Sequence, residues 1–393
     1  MTSFRKDVIF RFDEDNYLKD SVLYIHIPFC DHKCIYCDFY SIITSDNITS
    51  FLNSLKKEIE YFSKLHSADR KFTSIFFGGG TPSLMQPEYL SDIIKHLKKY
   101  FLVTDDAEIT METNPGTVDK EKLKCFKDAG INRISIGIQS FDEEELKFLT
   151  RIHNKHTAVQ TVNHAAEVGF ENISIDLIFN LPNQTKEKWI ENLEIALQLP
   201  IKHLSTYSLI LERGTILNKM VLDKKVTMQD EDYDADLYET TIEFLLDNGF
   251  YQYEVSNFTK PGFECVHNNA YWRYRDYLSF GTSSHSFVDG KRWWNYSSLK
   301  KYISEIELNN HAIMNSEIIS NEQKHEEYVM LALRSSGLDL NDYRKIFSDA
   351  WIKKNISYFE LLRNEQHLTI ENNWIKLTSK GYAVCDEILK NIL

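Results

Sequence analysis

The sequence predicts an α/β chain in which six strands alternate with helices, followed by a smaller, mostly helical C-terminal domain. Three observations carry this. Short β-rich apolar runs recur between residues 20 and 250, segments with apolar residues every three or four positions separate them, and Gly- or Pro-bearing breakers mark the joins. Strand and helix alternating in this way imply a parallel sheet with helical crossovers. Six such repeats either close as a partial TIM-like barrel or lie flat as a doubly wound sheet, and periodicity does not choose between the two.

In chain order, residues 1–20 are a lead-in with scattered charges and no apolar core of a signal peptide. Strands are expected at 21–27 (SVLYIHI), 72–78 (FTSIFFG), 107–113 (AEITMET), 133–139 (RISIGIQ), 173–179 (ISIDLIF) and 203–210 (HLSTYSLI). Helical spacing covers 48–65, 87–100, 119–129, 142–168, 185–198 and 229–248. The barrel region is thus 21–250. Residues 251–319 form a connecting region rich in aromatics, His and Asn. From 320 to 393 a helical stretch ends in the hairpin HLTIENNWIKLT, which suggests a winged-helix-like module.

Composition narrows the class. The chain has 393 residues, 42% hydrophobic and 26% charged, with 24 Phe and 21 Tyr, so it has material for a large core and aromatic-lined sites. Its formal charge of −13, with no dense Lys/Arg stripe, argues against nucleic acid as a partner. No apolar run approaches the roughly 20 residues of a membrane helix, so no integral membrane segment and a cytoplasmic location are expected. Thiols stay reduced there, so clustered cysteines read as metal-binding.

That cluster is YIHIPFCDHKCIYCDF, with Cys30, Cys34 and Cys37 spaced C-x3-C-x2-C directly after the first strand. Three thiolates on one loop suit an iron–sulfur cluster or zinc. Structural zinc calls for a fourth Cys or His, and neither His26 nor His32 has the usual spacing. Cys125, Cys265 and Cys385 lie far apart and read as ordinary buried or semi-buried thiols. The run Gly78, Gly79, Gly80 after the second strand permits close backbone approach to a ligand, with N–H groups available to a carboxylate or phosphate; the alternative is a tight strand-to-helix turn. Glu112 and Asp176, at or near strand ends, are either satisfied by buried partners or face a ligand. Gln139 and Arg151 join them on the same rim.

The cysteine spacing followed by GGGTP resembles the radical S-adenosylmethionine (SAM) superfamily. That resemblance implies a partial (β/α)6 barrel and a [4Fe–4S] cluster whose open iron binds SAM, which is then cleaved to a 5′-deoxyadenosyl radical. The segments YIHIPFCDHKCIYCDF, FFGGGTPS, METNPGT, RISIGIQSFDEEELKFLTRIHN and IDLIFNLPNQT are similar to the branch containing oxygen-independent coproporphyrinogen III oxidase and a haem chaperone. By this resemblance SAM is contacted by Tyr24, Tyr36, Gly79, Gly80, Thr81, Glu112, Gln139, Arg151 and Asp176. Tyr24 and Tyr36 are expected near the adenine, Gly79, Gly80 and Thr81 at the amino-acid end, and Glu112 and Asp176 at ribose hydroxyls or the ammonium.

Within the branch, the oxidases carry a further cysteine where this chain has Phe39, and a longer segment before the cluster. Both departures are similar to the haem-chaperone side. So is HNNAYW, 267–272, where His267 is expected to ligate haem iron while Tyr271 and Trp272 pack against the porphyrin; the alternative is a hydrogen-bonded structural histidine. FGTSSHSF adds His285 as a weaker ligand candidate; beyond it, Arg292, Trp293 and Trp294 either meet the propionates and ring or are simply packing. The resemblance therefore implies haem as cargo, acceptor haemoproteins as partners, and dimerisation promoted by cluster and SAM. Two rivals remain, an oxidase that decarboxylates coproporphyrinogen III and a radical SAM enzyme acting on RNA.

Overall fold

The computed structural model describes residues 18–44 and 46–393, so most of the expected lead-in lies outside the described residues. The six expected strands are present as β1 (Lys19–Ile27), β2 (Arg70–Gly79), β3 (Val103–Thr113), β4 (Arg133–Gln139), β5 (Asn172–Phe179) and β6 (His203–Ser208). Each pairs in parallel with the next. Their apolar runs are continuous because both faces are covered: Val22, Leu23, Ile25 and Ile27 of β1 are all fully buried, as are Ile134, Ile136 and Ile138 of β4.

The crossovers are α1 (Ile48–His66), α2 (Pro87–Tyr100), α3 (Lys120–Asp128), α4 (Glu143–Phe148), α5 (Lys155–Glu167) and α6 (Lys186–Leu197). Side-chain caps start several of them: Asp119 accepts from Lys122 N, Asp142 from Glu144 N and Glu145 N, Asn154 from Thr157 N, and Thr185 from Lys188 N. The continuous helical pattern expected over 142–168 is broken. Thr150 adopts φ 57°, and the loop between α4 and α5 turns Arg151 and His153 inward onto the carbonyls of Gly137 and Ile138. Periodicity does not register this pull, because the partners lie on another strand.

After β6 come α7 (Ile216–Leu222) and α8 (Glu231–Asp247). The region expected as a connector contributes instead to the main sheet. It supplies β7 (Tyr251–Glu254) and β8 (Asn257–Thr259) beside β6, then α9 (Val266–Trp272), β9 (Tyr277–Phe280), β10 (His285–Val288), β11 (Lys291–Asn295), α10 (Leu299–Asn309) and β12 (Ile313–Ile318). β9 pairs in parallel with β1, giving a 12-stranded order β12-β11-β10-β9-β1-β2-β3-β4-β5-β6-β8-β7. One hydrophobic core runs from Leu23 to Ala312. A second, from Val329 to Ile392, holds α11 (Asn321–Leu333), β13 (Leu338–Asp339), α12 (Leu340–Ile346), α13 (Ala350–Asn364), the expected hairpin β14 (Leu368–Glu371) and β15 (Trp374–Leu377), α14 (Ser379–Ala383) and α15 (Cys385–Ile392).

The sheet curls. Residues at the C-terminal ends of all six parallel strands line one cavity. The gap between β6 and β1 is bridged at the mouth, where Leu217 N of α7 donates to Ile35 O of the cysteine loop at 2.9 Å, over an apolar cluster of Ile35, Leu149, Ile178, Leu181, Leu209 and Leu217.

Candidate functional site

The cavity at the strand ends measures about 390 Å³. Cys30, Cys34 and Cys37 reach it from the loop after β1, all half-buried. Cys30 Sγ donates to His32 O at 2.8 Å and lies 3.3 Å from Thr81 Oγ1. Arg151 is half-buried against Cys34, with Nη1 3.6 Å from Sγ, and its Nη2 donates to Asn114 Oδ1 at 2.7 Å and Gly137 O at 2.6 Å. Burial alone would lower its pKa, but Tyr36 and Cys34 beside it outweigh that and raise it. A fixed cation thus faces the thiols. Among the described residues no trio of His, Cys, Asp or Glu closes on a single metal ion.

Two carboxyls line the same space. Burial, with Asp176 nearby, pushes Glu112 up to about 7. Its protein donor among the described residues is Gly79 N at 3.1 Å. Asp176 is also raised by burial, against hydrogen bonds from Ser205 and Ser135. Two half-buried carboxyls with so few donors among the described residues suit a ligand that brings an ammonium or hydroxyl groups. Together with three soft thiol donors and Arg151, this set fits an iron–sulfur cluster and an amino-acid-bearing nucleoside.

The glycine run sits at a close approach between the first two strands. Its N–H groups are spent within the protein, Gly79 N on Glu112, Gly80 N on Ile27 O and Thr81 N on Phe29 O. A Cβ at Gly79, where φ is +107°, would lie 2.5 Å from the His26 ring, and one at Gly80 would lie 2.6 Å from Phe29 O. The glycines let β2 press against the start of the cysteine loop. Gly79, Gly80, Thr81, Tyr36 and Gln139 all line the cavity, Gln139 with φ 72°. Asn114, Ser135 and His153 line it too and were not singled out from the sequence. Asn114 lies inside METNPGT, where its bonds to Arg151 and to Thr81 Oγ1 at 3.0 Å make it the joint between two motifs.

Tyr24 does not line this cavity. It lines a second one, about 730 Å³, on the β9–β11 side, together with His26, Phe39, Tyr40, Tyr271 and His285. Phe39 is 64% exposed and lines both cavities. His267 lines neither: its ring is buried, Nδ1 lies 2.7 Å from Ser74 Oγ and Nε2 2.9 Å from Tyr271 OH, and burial drops its pKa to about 3. Both ring nitrogens of the imidazole expected to ligate iron are therefore engaged within the protein. Trp272 is half-buried outside the cavity lining, and Trp293 stacks on Phe62 in the main core at 5.5 Å. Arg292 lines the cavity but is held by Glu327, both oxygens at 2.7 Å.

A six-stranded parallel barrel with three cysteines after its first strand defines a radical SAM protein, and the chain matches the Radical SAM superfamily over residues 24–196. Its fold is that of coproporphyrinogen III oxidase (HemN) from Escherichia coli, with a TM-score of 0.80 at 23% identity over 96% of this chain and 91% of that one. It is 36% identical to heme chaperone HemW of Bacillus subtilis over 80% of this chain and 83% of that protein. With heme chaperone HemW of Lactococcus lactis the identity is 33%, over 95% and 98%. The chain belongs to the HemW family.

Proposed function

We propose that the chain binds haem and passes it to acceptor haemoproteins, with a [4Fe–4S] cluster held by Cys30, Cys34 and Cys37 and SAM held in the first cavity. The observation that carries the choice against the oxidase is Phe39. Where the oxidases have a further cysteine, this chain places an exposed phenyl ring on the wall shared by two cavities. The ring offers an apolar face to a flat cargo, and no sulfur chemistry.

When bound, the cluster supplies an electron to SAM. The protein's part is electrostatic and steric. Arg151 offsets thiolate charge at Cys34, Glu112 and Asp176 accept from the ammonium or hydroxyl groups of SAM, and Thr81, Gln139 and Tyr36 complete the wall. Tyr24 acts from the second cavity's side. The reading extends to a cytoplasmic location and to a homodimer promoted by cluster and SAM; no helix among the described residues is long and apolar enough to cross a membrane.

The test is anaerobically reconstituted protein given SAM, a reductant and either coproporphyrinogen III or haem, with porphyrin products and bound haem both quantified. Stable haem binding without decarboxylated product is the expected result. Multiple turnovers to protoporphyrinogen would overturn the reading in favour of the oxidase.

A further inference from the structure

Resting on the haem-chaperone reading, we infer that the second cavity is the haem seat, that His285 is its iron ligand, and that His267 is a positioning residue acting through Tyr271. At about 730 Å³ the cavity falls in the roughly 300–1,000 Å³ range of ligand sites, and its walls are chiefly aromatic. Its two histidines differ in what their nitrogens do. His26 Nδ1 lies 3.3 Å from Tyr24 OH and its Nε2 2.9 Å from Tyr40 O, so that ring is occupied. His285 is exposed, and among the described residues neither of its nitrogens has a hydrogen-bond partner.

Three of the tyrosines lining the cavity are similarly committed. Tyr271 OH is held by His267 Nε2, Tyr274 OH donates to Glu327 at 2.9 Å, and Tyr40 OH accepts from Leu299 N at 3.2 Å. His285 remains as the free imidazole, and it is rigidly mounted. It opens β10, pairs with Trp294 on β11, and stacks on that indole at 5.8 Å and 19°. A neutral imidazole with an open nitrogen is the ligand haem iron takes.

The same geometry explains how HNNAYW acts without touching iron. His267 fixes the Tyr271 hydroxyl, and the Tyr271 ring meets Tyr277 edge-on at 4.7 Å, so the motif shapes one wall of the seat. The cations on the rim are already spent, Arg292 on Glu327 and Arg275 on Asp20. Affinity then comes from the iron–nitrogen bond and ring packing, and salt should change it little.

The experiment titrates full-length protein with haemin, following the Soret band and the quenching of tryptophan fluorescence, in wild type, His285→Ala, His285→Cys, His267→Asn and Tyr271→Phe. His285→Ala should bind on the order of tenfold or more weaker, with added imidazole restoring the wild-type spectrum. His285→Cys should convert the ferric spectrum to a thiolate-ligated form, a change no structural role produces. Tyr271→Phe and His267→Asn should keep the wild-type ligation spectrum. Unchanged affinity and spectrum in both His285 variants would overturn the assignment while leaving haem binding intact. Failure of wild type to bind haem would instead overturn the chaperone reading and this inference with it.

Discussion

The two cavities share Phe39 and little else. The one at the strand ends gathers thiols, a half-buried arginine and two carboxyls whose charges are only partly answered from within the protein. The one on the β9–β11 side is walled by aromatic rings, most of whose hydroxyls are already paired, as are the neighbouring arginines. Unanswered charge marks a place that waits for a polar, charged ligand. Satisfied aromatics mark a place for a flat apolar one, where a single free nitrogen sets the contact.

If the cavities are independent, removing a thiol should empty one and spare the other. Cys34→Ala should lose its bound iron and sulfide after reconstitution, the largest effect foreseen, while haemin titration stays as in wild type. Loss of haem binding as well would break the separation.

A carboxyl outside both cavities sharpens the comparison. Glu58 on α1 is fully buried and accepts from Gly281 N at 2.9 Å, from Tyr302 OH at 2.7 Å and from Asn295, yet burial still pushes it up to about 7. Its native pKa lies above the usual 4.5, so its stability contribution is fully present below about 4.5 and is lost as pH rises towards 7. The loss is on the order of 3 kcal/mol. Denaturant unfolding at pH 5 to 8 should show Glu58→Gln less stable at pH 5 but with a shallower decline. A slope equal to wild type would mean Glu58 is ionised throughout.

Glu112 has the same raised value but, among the described residues, one protein donor, so the ligand should complete it. Glu112→Gln should weaken SAM binding by about 1.5–3 kcal/mol, the worth of a charge-assisted hydrogen bond. Wild-type SAM affinity should also fall as pH drops below about 7, because the protonated carboxyl no longer attracts an ammonium. Calorimetry that finds the same pH profile in the variant would assign the titration elsewhere.

The smallest change in stability belongs to the shared wall. Phe39→Ala removes an exposed ring, so unfolding free energy should move by no more than about 0.5 kcal/mol. Haem should nonetheless dissociate faster, as stopped-flow transfer to apomyoglobin would show. An unchanged off-rate would make Phe39 a bystander to the cargo.

Much of the fold was legible beforehand because each strand of a doubly covered parallel sheet writes itself as an apolar run; 133–139 coincides with β4. The cysteine spacing was equally local, since three ligands on one loop need no distant partner. Where the reading failed, the cause lay across the chain. The α4–α5 break is made by carbonyls of β4 and its end, the glycine N–H groups are taken by Glu112 and by the segment after β1, and the supposed connector supplies six strands to the main sheet.

By itself the sequence determined the parallel α/β frame, the side of it that carries chemistry, and the thiol set, because periodicity and spacing act over a few residues. Only the tertiary structure decided which histidine has a nitrogen to give. His267 meets Ser74 across 193 positions and is engaged there, while His285 opens β10 and, among the described residues, neither of its nitrogens has a partner. Availability of a lone pair is set by neighbours, and the fold alone chooses those.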